Sequence, residues 1–372
     1  MSNMPNLRIA IVISGFLLLV ASLPASLSAE EPVALKHERG SLEKIWRERV
    51  QSFLNRGVTP LIDLESSLQR SDGENYLPAA MKIMDEVALA LIAFDGYQAP
   101  KKEGAEEGGG YRWGYYIHEI VNTHPDRFIL AANGGTNPNW LKQGEDFITQ
   151  VEKHVRSGQY PIMGEFDFRH YMSAHQCRQN RTDRDNDIPL NSENGHRLFR
   201  LSQETGVAFV IHLEPEDAPL AALEEMLRAY PKAKVIVAHF GQIRHPERQK
   251  QFGPALLRRL LSSYPNLYCD ISTGHPGRRY ACNYKVLDTV LWESNVMGQT
   301  NTLKPEYKAI LSDFSTRFVV GTDYGGGRPP LPEFLLKRVT NIRLILRDLP
   351  DAAKHDIGYR NAWQLLTGKP WQ

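Results

Sequence analysis

The chain is short of cysteine and of net charge. Its 372 residues include three cysteines, Cys177, Cys269 and Cys282, with no Cys-x-x-Cys pair, which excludes a zinc ribbon or a thioredoxin-like motif. One pair could bridge in an oxidising compartment and leave the third thiol over, and the spacing does not say which. Cys269 sits in an apolar strand and reads as buried packing. Lysine and arginine number 44 against 43 acidic residues. That balance gives no electrostatic case for nucleic acid or an anionic membrane as partner. Beyond the first segment no apolar run is long enough for a membrane helix, which needs about 20 residues.

The first segment is the exception. Arg8 precedes IAIVISGFLLLVA, Ile9 to Ala21, and the small-residue stretch ASLPASLSAEE follows. Residues 1–29 read as a secretory signal peptide cleaved near Ala29, with Leu27 where a small residue is usual. An uncleaved anchor is the alternative, and the run is short for one. The expectation is therefore export, to the periplasm or the medium, with no stable membrane span after cleavage. Only Arg8 is charged in this segment, so the remainder stays near neutral.

Residues 30–60 form a lead-in, with SLEKIWRERVQSFLNRG at helical spacing and Gly57 as its stop. The rhythm then changes. Apolar strands are expected at TPLIDLESS, Val87–Gly96, Arg127–Gly135, Pro161–Phe168, Val207–Pro215, KVIVAHFG, Asn266–Ser272 and Arg317–Gly326. Helical stretches alternate with most of them, and a gap follows the first strand. A short helical pair, DAAKHDIGYRNAWQLLTG, closes the chain. Eight near-continuous apolar strands alternating with helices suit parallel strands covered on both faces. A (β/α)₈ TIM barrel over residues 61–372 is the simplest architecture, and a doubly wound sheet is the structural alternative. Two connections are long, residues 169–194 and 273–316. The first carries RQNRTDRDND, which would serve as a lid or a solvated excursion.

The strand ends share a chemistry. The first ends at Asp63-Leu-Glu65, the fourth at Glu165, the fifth at His212, the sixth at His239 and the eighth at Asp323. In a barrel these ends meet at one mouth, where active sites of such folds lie. Imidazoles and carboxylates gathered there would be costly if left unpaired, and a divalent metal resolves that cost. Nitrogen and oxygen ligands suit zinc, with manganese, iron or nickel as alternatives. A hydrogen-bonded carboxylate–imidazole network in a small-molecule pocket is the rival. Near the mouth, Arg169, His170 and His175 follow the fourth strand, His275 and Arg278 the seventh, and Tyr324 the eighth. Each has an ordinary structural alternative, such as Arg169 pairing with Asp167. Trp113 and Tyr115 read as core anchors of a helix.

These motifs resemble the amidohydrolase superfamily, and most of all its amidohydrolase-related branch of metal-dependent hydrolases and some decarboxylases. RFVVGTDYGG resembles the family's eighth-strand Asp motif. KVIVAHFG and VAFVIHLE resemble its sixth- and fifth-strand histidine motifs, GEFDF a fourth-strand element, and IGYRNAWQLLTG its closing helix with Asn361. The resemblance spans about residues 60–368. It implies a distorted TIM barrel, ligands from strands one, five and eight, and a sixth-strand histidine near or on the metal. It implies hydrolysis of amide, ester or lactone bonds, or occasionally carbon–carbon cleavage. One feature departs from the pattern: the first strand lacks His-x-His. With Asp63 as the preceding Asp, Glu65 and Ser67 stand at the two histidine positions; shifted by two, Asp63 and Glu65 do. The oxygen-rich set left by that change would bind zinc less selectively.

The expected metal ligands are thus Asp63, Glu65, Glu165, His212, His239 and Asp323. Asp323, His239 and Glu165 are the expected catalytic groups, and Arg169, His170, His275, Arg278 and Tyr324 contact substrate. The cofactor is a divalent metal, zinc or manganese, or none. The expected function is an exported metal-dependent hydrolase acting on a small molecule, with a homo-oligomer open. The alternative is a barrel without catalysis that binds a small molecule or a protein partner.

Overall fold

A computed structural model describes residues 33–96, 115–132, 144–182, 184–284, 288–294, 301–325 and 329–372. The expected export segment and Trp113 lie outside them, as does the His175 side chain. The strands are β1 (Leu61–Ser67), β2 (Leu89–Asp95), β3 (Phe128–Ala132), β4 (Ile162–His170), β5 (Asn186–Asp187), β6 (Ala208–Leu213), β7 (Val235–Val237), β8 (Leu267–Asp270), β9 (Phe318–Val319) and β10 (Tyr324–Gly325). Their order in the sheet is β10-β1-β2-β3-β4-β6-β7-β8-β9, with β5 an antiparallel addition to the end of β4. All other neighbours are parallel. The two ends of that order, β9 and β10, are pieces of one run of chain. Val319 pairs with Asp270 on β8, Val320 bridges to Asp63 on β1, and Tyr324 pairs with Ser66. The sheet thus returns on itself through a broken eighth strand, which is the distorted barrel expected.

Two apolar layers follow from this geometry. One lies between strands and outer helices. The other fills the barrel itself with Ile62, Ala90, Ile129, Ile162, Ala208, Ile236 and Val319, most from the N-terminal halves of their strands. Trp46, Val50 and Phe53 of the lead-in helix Arg39–Asn55 join this inner layer, as do Trp363 and Leu366 of the closing helix. Fully burying such a side chain contributes about 1.5–3 kcal/mol. The lead-in is therefore a plug across the bottom of the barrel. Trp46 Nε1 also donates to the Pro125 carbonyl, just ahead of β3, at 3.0 Å.

Two helices were not legible as such. Arg70–Glu86 fills the gap after β1, despite carrying Gly73 and Pro78. Leu77, Ala80 and Met84 form its buried stripe at helical spacing, so packing overrides weak local propensity. Pro305–Asp313 lies inside the second long connection. Among the described residues no helix is long and apolar enough to cross a membrane.

The first long connection is not a free excursion. It folds back as β5, and Cys177 is bonded to Cys282 in the second connection, with Cα atoms 5.2 Å apart. Tyr280 Oη adds a hydrogen bond to the Met172 carbonyl at 3.1 Å. Cys269 is the buried free thiol. A disulfide closing a loop of this length, 105 residues, restricts the unfolded chain by about 4–5 kcal/mol at most. Replacing Cys177 and Cys282 together by serine should lower unfolding free energy by about 2–4 kcal/mol, read from the denaturant midpoint at constant slope. An unchanged midpoint would show that the bond constrains nothing the fold has not already ordered.

Candidate metal centre and its surroundings

The C-terminal strand ends meet as the barrel requires. His212 Nδ1 lies 2.9 Å from Glu165 Oε1 and 3.1 Å from His239 Nε2. His239 Nε2 is 3.4 Å from Glu165 Oε1 and 3.6 Å from Glu65 Oε1. Among the described residues three sets of ligand atoms each fall within 4.8 Å of one another: Glu165, His212 and His239; Glu65, His239 and Asp323; and Asp167, His170 and His212. His239 belongs to the first two, so five of the expected ligands form one continuous group, and His212 joins Asp167 and His170 to it.

The backbone aims these side chains. His239 and Asp323 adopt positive φ, 63° and 55°, which few non-glycine residues do. Each sits where its strand breaks, turning its side chain toward the mouth. Gly321 leaves room for the first-strand carboxylate, since a Cβ there would stand 2.4 Å from Glu65 Oε2.

Asp63 has a different place. Its Oδ1 accepts from the Glu65 and Thr322 backbone N–H groups at 2.9 and 3.0 Å. Its Oδ2 accepts from Ser66 Oγ at 2.8 Å and Thr322 Oγ1 at 2.6 Å. Burial nevertheless pushes it up to about 6, against these hydrogen bonds. With both oxygens engaged, Asp63 stands as a tie between β1 and the eighth strand rather than inside the group.

Around the group each charge has a counterpart. Burial acts to raise Glu165, but the hydrogen bond from His212 and the adjoining His239 ring outweigh it and hold the carboxyl well below its usual range. His212 is raised from 6.5 to about 9: burial opposes its charge, and Glu165 and Glu214 outweigh burial. Glu214 Oε1 lies 3.2 Å from His212 Nε2 and pairs with the Arg244 guanidinium, which with His212 offsets burial and lowers Glu214 to about 2. Arg338 donates to Asp323 Oδ2 at 2.8 Å. Arg184, from the first long connection, donates to Asp167 Oδ2 at 2.8 Å.

Glu65 is the exception. Its side chain is 3% exposed, and neither carboxylate oxygen makes a hydrogen bond. Burial, with the charges of Asp270, Glu165 and Asp323, pushes it well above its ordinary value. A buried carboxylate with only the Ser272 hydroxyl nearby to oppose its burial, facing an imidazole nitrogen and two further carboxylates, fits a divalent cation. The donor set of Glu65, Glu165, Asp323, His212 and His239 is of nitrogen and oxygen atoms suited to a divalent ion.

The expected substrate contacts divide. His170 stacks edge-on against His212, with ring centroids 4.2 Å apart, and its Nδ1 lies 2.9 Å from the Arg184 carbonyl. Arg169 is buried and pairs with Asp185 and Glu216 at 2.8 and 3.5 Å, with its guanidinium over the Tyr171 ring. Arg278 pairs with Asp288 at 2.9 Å. His275 makes a local contact with the Pro276 carbonyl, and Tyr324 packs edge-on against Phe334. Tyr115 Oη lies 3.5 Å from His154 Nε2, away from the mouth group. The sequence pattern does not mark Glu214, Arg244, Asp270, Ser272 or Arg338 as site residues. Glu214 and Asp270 do carry the sign shared by the other strand ends, a polar residue closing an apolar run. Arg338 lies on the helix Leu331–Leu346 and has no such local sign.

A family model described as amidohydrolase matches residues 163–367. Among curated proteins, none matches the sequence. Among solved structures, 5-carboxyvanillate decarboxylase from Sphingomonas paucimobilis is 12% identical, with a TM-score of 0.46 over 83% of this chain and 99% of its own. 4-Oxalomesaconate hydratase from Rhodopseudomonas palustris is 13% identical, with a TM-score of 0.46 over 87% and 91%. A dihydroxybenzoic acid decarboxylase from Polaromonas, solved with bound manganese, is 13% identical, with a TM-score of 0.43 over 83% and 97%.

The ion pairs set a pH dependence for the metal-free protein. His212 rises from 6.5 to about 9 on folding, so its stabilising contribution is complete below pH 6.5 and is lost as pH rises through 9. With chelator present, the stability gap between wild type and His212→Gln should narrow across that interval, measured by urea unfolding at successive pH values. A gap that stays constant from pH 6 to 10 would show that His212 is not held charged by Glu165 and Glu214.

Proposed function

The chain belongs to the amidohydrolase family, and from that premise we propose that it is an exported metal-dependent hydrolase cleaving an amide, ester or lactone bond of a small molecule. The observation that carries this reading is Glu65, a buried carboxylate with two unbonded oxygens, beside His239 and among Glu165, His212 and Asp323. Glu65, Glu165, His212, His239 and Asp323 would hold the divalent ion. Such an ion supplies Lewis-acid polarisation of a carbonyl and eases ionisation of water at neutral pH. The first strand then contributes a carboxylate where the family pattern has His-x-His.

The chain's own groups divide the remaining work. Asp323 takes the proton of the attacking water on its carboxylate and delivers it to the leaving group. Arg338 holds Asp323 Oδ2 and so fixes the plane in which that proton moves. Glu214 orients His212 through Nε2, and Arg244 neutralises Glu214 in turn. The segments joined by Cys177–Cys282 border the mouth, and His170 from β4 stands beside His212, placed to contact substrate. The disulfide also supports export, because such bonds persist in oxidising compartments.

A second reading has its own observation. His212 has protein hydrogen-bond partners at both ring nitrogens. A self-satisfied network of that kind suits a pocket that binds a small molecule or a partner without turnover.

Metal content separates the two. Protein purified without chelator and analysed by mass spectrometry should carry near-stoichiometric manganese or zinc. Glu65→Ala should lose most of it. Turnover of an amide, ester and lactone panel should vanish with chelator and return with metal. Folded wild-type protein that takes up no manganese, zinc or iron would rule out the hydrolase reading and leave the pocket.

A further inference from the structure

The seventh barrel strand, β8, supplies none of the five candidate ligands, yet its end is built against one of them. Asp270 and Ser272 are buried, with 1% and 2% exposure. Asp270 Oδ1 accepts the His239 backbone N–H at 2.9 Å and the Ser272 backbone N–H at 3.0 Å. Ser272 Oγ lies 2.6 Å from the same oxygen and 2.8 Å from His239 Nδ1. His239 Nδ1 is also 3.1 Å from the Ser272 carbonyl.

These contacts leave one consistent placement of protons. An oxygen that receives two backbone N–H groups is an acceptor, so the Ser272 hydroxyl donates to Asp270 Oδ1. That hydroxyl has then used its only proton and can only accept from His239. The Ser272 carbonyl, a pure acceptor, makes the same demand on the same nitrogen. His239 Nδ1 therefore carries hydrogen.

We propose that Asp270, acting through Ser272, is a positioning residue that fixes His239 as the Nδ1–H tautomer and presents its Nε2 lone pair to Glu65, Glu165 and His212. The assignment rests on the metal-centre reading above and deepens it. A histidine can ligate only through an unprotonated nitrogen, and a hydrogen bond at the other nitrogen selects which one that is. Here the selecting group is a carboxylate one hydroxyl removed. Because Asp270 also receives the His239 backbone N–H, one carboxylate holds both the main chain and the ring at the break in the sixth strand. The left-handed φ of His239, 63°, is the conformation so held.

The test reads the tautomer directly and the metal separately. In protein labelled at histidine and stripped with chelator, long-range proton–nitrogen correlation spectra should show His239 with a pyrrole-like Nδ1 and a pyridine-like Nε2. The His239→Gln spectrum identifies the signals. Ser272→Ala should give a mixed or reversed pattern, and Ser272→Thr, which keeps the hydroxyl, should restore the wild-type one. Affinity for manganese and zinc, measured by chelator competition, should fall about 10–100-fold in Ser272→Ala and Asp270→Asn and stay near wild type in Ser272→Thr. A wild-type proton on Nε2, or a tautomer and affinity unchanged in Ser272→Ala, would overturn the proposal. If the tautomers behave as stated but wild type binds neither metal, the tautomer assignment is upheld and the metal-centre reading falls.

Discussion

The barrel depends on the buried carboxylate of Asp63. Its two oxygens gather four donors from β1 and the eighth strand, including both the backbone N–H and the hydroxyl of Thr322. Between those strands the backbone ladder is thin, because the eighth is broken between Val319 and Tyr324. Side-chain hydrogen bonds replace the missing ladder at the seam where the sheet returns on itself. Glu65 and Asp323 lie on either side of this tie, and the Asp323 N–H donates to the Glu65 carbonyl at 3.0 Å. The same interaction that closes the fold therefore fixes the separation of two candidate ligands.

Outward from the seam, charge is arranged in shells. Glu65 is left with no hydrogen bond, while the carboxylates behind it are each matched: Glu214 by Arg244, Asp323 by Arg338 and Asp167 by Arg184. Breaking one of those outer pairs would strand a buried charge, which costs far more than an exposed pair contributes. The outer arginines are thus committed to protein carboxylates, and Arg169 and Arg278 are too. Among the described residues, these guanidiniums are therefore occupied by the protein's own carboxylates.

Much of this was legible in the sequence because the barrel repeats one device. An apolar strand that ends in a charged or imidazole side chain is visible in one dimension, and five such ends meet in space. What stayed hidden depends on contacts between distant segments. The helix Arg70–Glu86 carries Gly73 and Pro78, and its stripe of Leu77, Ala80 and Met84 gains meaning only against the barrel. Asp63 resembles Glu65 in its sequence setting; only Thr322, distant in sequence, distinguishes a tie from a ligand. Arg338 lies on a helix surface whose relation to Asp323 no local pattern records. Cysteine spacing left the pairing open, and the approach of two long connections resolves it as Cys177 with Cys282.

The plug at the bottom of the barrel separates two kinds of freedom. Trp46, Val50, Phe53 and Trp363 fill the end of the barrel opposite the mouth, and Lys369 and Glu43 join the closing segment to the lead-in helix at 2.8 Å. Apolar burial at that end does not touch the strand termini that carry the chemistry. The mouth can accumulate exchanges that a self-contained core could not tolerate. A scaffold anchored at one end leaves the other free to be rewritten without loss of its core.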